Sequence, residues 1–362
     1  MVKKIDLTIL VPIIFLSLFG LLMVYSASNV VALDDYNDSF YYFKKQALFM
    51  LIGLSIMYII IKLDISMIKK YSVIIFFLCL FLLILVLIPG IGVIRGGARS
   101  WIGIGTFSIQ PSEFMKVGLI LLLSKYLSDH YKDLENTKYF IFLSIIIIFI
   151  FLMIMLQPDF GTGLVILLSC FCFLFISGAN YKLFIGMGII GIIGIIGLII
   201  SAPYRFQRIV AYLDPWSDPL GSGFQAIQSL FAITPGGLFG HGFNNSIQKH
   251  FFLPEPQNDF IFAILVEEFG LIGGSIVLGL YFYIIYRCFK ISKNIDNLFC
   301  KFVLIGLSLT LFVQVFINVG VVIGLLPVTG ITLPLFSYGG SSLLINFISF
   351  GIILNASKYQ NI

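Results

Sequence analysis

Three carboxylates, Glu113, Asp159 and Asp259, and five cations, Arg99, Lys116, Arg205, Arg208 and Lys249, sit in or beside the breaks between long apolar runs. Together they suit a reaction that deprotonates a sugar hydroxyl and expels a pyrophosphate. A carboxylate can act as general base toward the hydroxyl. Arg, Lys or a divalent cation (Mg²⁺ or Mn²⁺ as the candidate cofactor) can stabilise the departing anion. Charges at membrane depth suit a transporter equally well, so spacing alone leaves both readings open.

Four segments carry these residues. The first holds Arg99 and Trp101 and continues through Gln110-Pro-Ser112-Glu113-Phe-Met-Lys116. Glu113 and Lys116, three apart, share one face of a helix, and Ser112 is a candidate cap for it. The second, Gln157-Pro-Asp159-Phe-Gly161, is a tight turn in which Asp159 either caps a helix or takes part in chemistry. The third is a loop over residues 203–258 that holds Arg208 and Lys249. It ends Leu253-Pro-Glu255-Pro-Gln-Asn258-Asp259 and runs into a span with Glu267 and Glu268. A loop this long is usually functional, and either Asp259 or Asn258 could cap the helix that follows. The fourth, residues 326–342, reads as a re-entrant turn followed by a helix start. The N–H groups after Gly339-Gly340, near Ser341 and Ser342, could hold an anion.

The elements that position these residues are membrane helices. Of the 362 residues, 59% are hydrophobic and 11% charged, and the mean hydropathy is +1.07. A soluble domain carries about 25% charged residues. A helix of about 20 apolar residues crosses the hydrocarbon core. Apolar runs predict ten spans, near 9–28, 46–62, 71–90, 113–127, 139–157, 163–180, 182–202, 259–287, 302–326 and 339–356. The fold class is therefore all-α and polytopic, a single domain over 1–362 with the 203–258 loop between spans seven and eight. With the N-terminus inside, 14 of the 22 Lys and Arg fall on the inner side, including Lys3, Lys4 and Lys132. That bias predicts cytoplasmic termini and an extracytoplasmic loop. The first apolar run is too long for a cleaved leader.

Several classes are excluded. The net charge of +5 comes without a basic stripe, so no nucleic-acid partner is expected. The five cysteines form no disulfide framework, and no Cys/His cluster has metal-ligand spacing. Neither a nucleotide-binding P-loop nor a strand–helix G-x-G-x-x-G occurs. Gly191, Gly194 and Gly197 share one span, where close helix packing is the expected role.

The motifs resemble the SEDS family, which includes FtsW, RodA and SpoVE. The match rests on Tyr25-Ser-Ala-Ser28, Gly97-Ala-Arg99-Ser-Trp101, Gln110-Pro-Ser-Glu113-Phe-Met-Lys116 and Gln157-Pro-Asp159-Phe-Gly161. It continues through Asp214-Pro-Trp216, Gly223-Phe-Gln225, Leu253-Pro-Glu255-Pro-Gln-Asn-Asp259-Phe-Ile-Phe-Ala and Leu326-Pro-Val-Thr-Gly330 to Ser337-Tyr-Gly-Gly-Ser-Ser342. It covers essentially the whole chain and is most similar to the FtsW/SpoVE branch. The resemblance implies a peptidoglycan glycosyltransferase that polymerises lipid II outside a bacterial plasma membrane, with inversion at the anomeric carbon. Asp259 is then the essential loop acid, aided by Glu113 and Lys116. Arg99, Trp101, Gln110, Ser112, Asp159, Arg208, Lys249, Ser341 and Ser342 are candidate substrate contacts. Implied partners are a class B penicillin-binding transpeptidase, other division or elongation proteins and membrane lipids. A lipid II flippase and a non-catalytic scaffold for a transpeptidase are the rival readings.

Overall fold

Where water is absent, every backbone N–H and C=O must be satisfied within the protein, which favours helices. The structure, a computed structural model, describes residues 5–95, 97–104, 107–131, 137–178, 181–200 and 202–360. Lys3, Lys4 and Lys132, counted above toward the inner face, lie outside the described residues. The helices are α1 (Leu7–Tyr36), α2 (Tyr41–Lys62), α3 (Ile65–Leu87), α4 (Pro111–Asp129), α5 (Thr137–Met155) and α6 (Phe160–Ile176). They continue with α7 (Tyr181–Ile200), α8 (Pro203–Leu213), α9 (Phe224–Ile233), α10 (Ile261–Lys293), α11 (Leu298–Val322) and α12 (Gly340–Ser357). Among the described residues, eight are long and apolar enough to cross a membrane, which makes this a multi-pass membrane protein. Two further predicted spans are helices of another kind. α4 carries Glu113, Lys116, Lys125 and Asp129, and α6 has only 17 residues.

The bundle is built around α11, whose residues are mostly buried against α4, α6, α10 and α12. α7 is its opposite. No described residue of α7 is buried, and a Cβ added at Gly191, Gly194 or Gly197 would meet nothing within 4 Å. The expectation that these glycines pack against another helix is therefore corrected: within this chain they face open space.

The segment before α4 departs from the all-helical expectation. β1 (Gly92–Arg95), β2 (Ala98–Ile104) and β3 (Phe107–Ile109) form a small antiparallel sheet in the order β1-β2-β3. Gly92 pairs with Ile102, and Ile102 with Ile109. A three-stranded meander satisfies its inner backbone groups locally, so this short polar connection needs no helix.

α10 is broken at Gly270, where φ is 66°, a backbone region open to glycine at little steric cost. The 236–242 stretch of the long loop fills the break. His241 and Gly242 donate their backbone N–H to the carbonyls of Glu267 (3.0 Å) and Glu268 (2.9 Å). Leu271 and Ile272 donate to the carbonyls of Gly237 (2.9 Å) and Leu238 (3.2 Å). A Cβ at Gly240 would lie 2.3 Å from the Glu268 backbone, and one at Gly270 would lie 2.3 Å from that of Leu238. The glycines of this loop thus allow backbone to meet backbone inside a helix.

The far end of the bundle is tied more simply. Arg287 on α10 bonds Asp6 ahead of α1 (2.9 Å), and Lys69 on α3 meets Asp129 on α4 (2.6 Å).

Candidate functional site

The polar segments converge at the end of the bundle that carries the sheet and the 203–258 loop. α4 starts with Gln110 as N-cap and Pro111 in its first turn, where a missing N–H costs nothing. Gln110 Nε2 and Ser112 Oγ both donate to Asp159 Oδ2, at 2.8 and 3.0 Å. The other oxygen of Asp159 accepts from the backbone N–H of Thr162 (3.2 Å) and caps α6. Gln110 N donates to Ser341 Oγ (3.1 Å), which in turn donates to the carbonyl of Ser108 (3.1 Å). Ser342 Oγ pairs with Thr332 Oγ1 at 2.9 Å. Asp159 therefore caps a helix and staples two segments, while Ser112 serves Asp159 rather than capping α4.

One turn further into α4 lies a buried ion pair. Lys116 Nζ is 2.9 Å from Glu113 Oε1, and both side chains are almost wholly buried. Lys116 also donates to Gln314 Oε1 on α11 (2.7 Å). A cavity beside Lys116 is lined by Thr310, Gln314, Asn346 and Ser349 among apolar residues of α11 and α12. Glu113 Oε2 is buried without a hydrogen-bond partner.

Asp259 lies in the turn just before α10. The helix begins at Ile261 with Phe260 as N-cap and no side-chain cap. Neither Asp259 nor Asn258 caps it, which corrects that expectation; Asn258 bonds Glu255 instead (2.6 Å). The Asp259 carboxylate has no side-chain donor among the described residues. Burial pushes its pKa up to about 7, with Glu255 adding to the rise, while its own backbone N–H and Arg208 oppose it. A helix N-terminus would have kept this acid a weak base. Desolvation reverses that effect, and a carboxyl with a pKa near neutral has the value that general base work requires. Arg208 on α8 donates to the carbonyl of Val328 (3.1 Å), and Tyr212 to that of Leu325 (3.0 Å), so α8 lies across the 325–332 strap.

The other predicted contacts scatter. Arg99 and Trp101 lie on β2, both partly exposed, on either side of a bulge that pairs them with the adjacent residues Ile94 and Val93. Lys249 is fully withdrawn. It is 2% exposed, bonded to Asn244, and 3.7 Å from Glu268 on α10. Glu267, beside it in sequence, accepts from Ser246 Oγ (2.5 Å) and from the backbone N–H of Ile247 (2.7 Å). This cluster anchors the loop onto α10, apart from Asp259.

Sequence reasoning passed over Gln314 and Asn318 on α11. Asn318 Nδ2 donates to the carbonyls of Asp259 (2.8 Å) and Ile331 (2.7 Å), and Gln314 Nε2 to that of Thr332 (3.0 Å). Their signal was available: two amides four residues apart in an apolar 25-residue span, where a polar side chain needs a partner. For a divalent cation, no three His, Cys, Asp or Glu gather among the described residues. A magnesium-like ion held by one or two carboxylates, waters and substrate phosphates is the arrangement this donor set fits.

Fold and site together define a multi-pass membrane protein with a buried ion pair on α4, bonded to α11, and a helix-bearing loop ahead of α10. The family of FtsW, RodA and SpoVE, described as "Cell cycle protein", matches residues 7–362, and the chain belongs to it. It is 49% identical over 356 residues to Stage V sporulation protein E of Bacillus subtilis (strain 168), covering 98% of this chain and 97% of that one. It is 39% identical over 358 residues to the probable peptidoglycan glycosyltransferase FtsW of Geobacter sp. (strain M18), with 98% and 97% covered. Among solved structures, it superposes with a TM-score of 0.79 at 29% identity on a chain described under "Structural coordination of polymerization and crosslinking by a peptidoglycan synthase complex". It superposes with 0.73 at 26% identity on the rod shape determining protein RodA of Thermus thermophilus. Each of these two matches covers 99% of both chains.

Proposed function

We propose that this protein is a peptidoglycan glycosyltransferase that polymerises lipid II on the outer face of the bacterial cytoplasmic membrane during cell division or sporulation. The chain forms one domain with ten crossings, both termini cytoplasmic and residues 203–258 outside. Asp259 accepts the proton of the acceptor sugar hydroxyl as its oxygen attacks the anomeric carbon of the growing strand. The bond to undecaprenyl pyrophosphate breaks, the pyrophosphate leaves with the bonding pair, and the anomeric centre inverts. Glu113 and Lys116 support the site from α4. Arg208 and Arg99 are the cations best exposed to meet pyrophosphate, whereas Lys249 is engaged with Asn244 and Glu268. A divalent cation, where bound, adds positive charge at the leaving group. A class B penicillin-binding transpeptidase is the proposed partner.

The observation that carries this reading is Asp259: a carboxylate with no side-chain donor, pushed up to about 7 by burial, within the electrostatic reach of Arg208. The relatives named as glycosyltransferases and the synthase-complex neighbour support the substrate and partner classes. The test is purified protein with its transpeptidase partner and labelled lipid II. Wild type is expected to form glycan polymer and Asp259→Asn at least about 100-fold less, with folding and partner binding intact. Polymer from Asp259→Asn at the wild-type rate would overturn the assignment and favour a scaffold. Lipid II movement across vesicles without any polymer from wild type would favour a flippase.

A further inference from the structure

We infer that Gln314 and Asn318 are positioning residues that hold the main chain of Asp259 in register with the Glu113–Lys116 pair. The inference rests on the reading of Asp259 as general base. Gln314 and Asn318 are four residues apart and share one face of α11. Both are buried, with relative exposures of 2% and 1%. Gln314 uses both ends of its amide: Oε1 accepts from Lys116 and Nε2 donates to the carbonyl of Thr332. Asn318 uses both N–H donors, one on the carbonyl of Ile331 and one on that of Asp259. Ile331 and Thr332 are adjacent, so two consecutive carbonyls of the 325–332 strap face the two amides. The result is a continuous chain of bonds from Glu113 through Lys116, Gln314, Thr332–Ile331 and Asn318 to Asp259.

The chain matters because, among the described residues, no side chain donates to the Asp259 carboxylate. Its location is set by its backbone, and the Asp259 carbonyl is held by Asn318. Phe260, next in sequence, is fully buried and fixes the other side. A shift of about 1 Å in a reacting group can cost on the order of 100-fold in rate.

The test compares Gln314→Met and Asn318→Leu with wild type and with Asp259→Asn, each purified with the transpeptidase partner and given labelled lipid II. We expect kcat to fall roughly 10- to 100-fold in both positioning variants, with KM changed by no more than about threefold. Gln314→Glu, which keeps the acceptor for Lys116 and loses the donor to Thr332, is expected to fall between Gln314→Met and wild type. A merely structural role would lower thermal stability while leaving kcat per folded molecule near wild type, and that result overturns the inference. A rise in KM at constant kcat overturns it as well. Should Asn318→Leu not fold, the isosteric Asn318→Asp decides by the same criteria. Failure of every Asn318 and Gln314 variant to fold assigns the pair to architecture and rejects positioning. Should Asp259→Asn itself polymerise lipid II, the base assignment fails first. Should Asp259→Asn be inactive while both positioning variants turn over normally, only this inference fails.

Discussion

Asp159 and Asp259 are the same side chain at the same end of the bundle, each just ahead of a helix, and the protein treats them in opposite ways. Asp159 receives three donors, from Gln110, Ser112 and the backbone of Thr162. Its oxygens are committed to capping α6 and joining it to the entry of α4. Among the described residues Asp259 has only its own backbone N–H; it is half-buried, with a pKa near neutrality. Full satisfaction fixes a carboxylate as architecture, whereas incomplete satisfaction in a dry place leaves its affinity for protons available for chemistry.

The contrast can be broken most directly by exchanging each acid for its amide. Asp259→Asn is expected to lower polymerisation of labelled lipid II by about 10²- to 10⁴-fold, the usual contribution of a positioned base. Asp159→Asn should keep a substantial share of the activity. Equal losses in the two variants would erase the distinction.

A second experiment asks whether the Glu113–Lys116 pair behaves like Asp159 or like Asp259. Removing one partner of a buried pair leaves an uncompensated charge and costs about 3–5 kcal/mol. Lys116→Met is therefore expected to unfold at clearly lower temperature in detergent. The double variant Glu113→Leu with Lys116→Met should recover much of that loss while remaining inactive. Recovery of activity along with stability would show that the pair has no part in the chemistry.

The architectural side of the contrast has its own magnitude. Asp159→Ala removes a helix cap and strands the donors of Gln110 and Ser112, a loss of about 1–3 kcal/mol read by thermal melting. The smallest expected effect is a pH dependence at Asp259. Its pKa is raised on folding, so between the ordinary carboxylate value and about 7 the folded state holds a proton that the unfolded state has released. Stability from this group is full at low pH and declines as pH rises through about 7. Asp259→Asn should accordingly melt a little higher than wild type at pH 8 and no higher at pH 4. In wild type, polymerisation should increase as pH rises through about 7, because the base must be unprotonated.

Eight of the ten predicted spans were legible because long apolar runs can be little else, and the charged residues between them marked the site end. The link between Gln110, Ser112 and Asp159 was not legible, since it joins residues 47 and 49 positions apart through tertiary contact alone. Asp259 and Asn258 were left as alternative caps because Asp or Asn beside a helix start is usually one; here the helix begins at Ile261 behind a buried Phe260, and neither serves. Lys249 carries the charge a pyrophosphate would want, yet its burial against Glu268 follows from the α10 break, which depends on where Gly236–Gly242 comes to rest. The three-stranded sheet was hidden by the brevity of its strands.

The break in α10 also bears on how the protein is made. Residues 237–242 bond the carbonyls of Glu267 and Glu268 on one side of the gap and the N–H groups of Leu271 and Ile272 on the other. This span cannot reach its final shape as an independent rod entering the bilayer. Its final shape requires the preceding stretch of polypeptide to be folded against it, so the completion of one helix is coupled to the folding of the loop that leads into it.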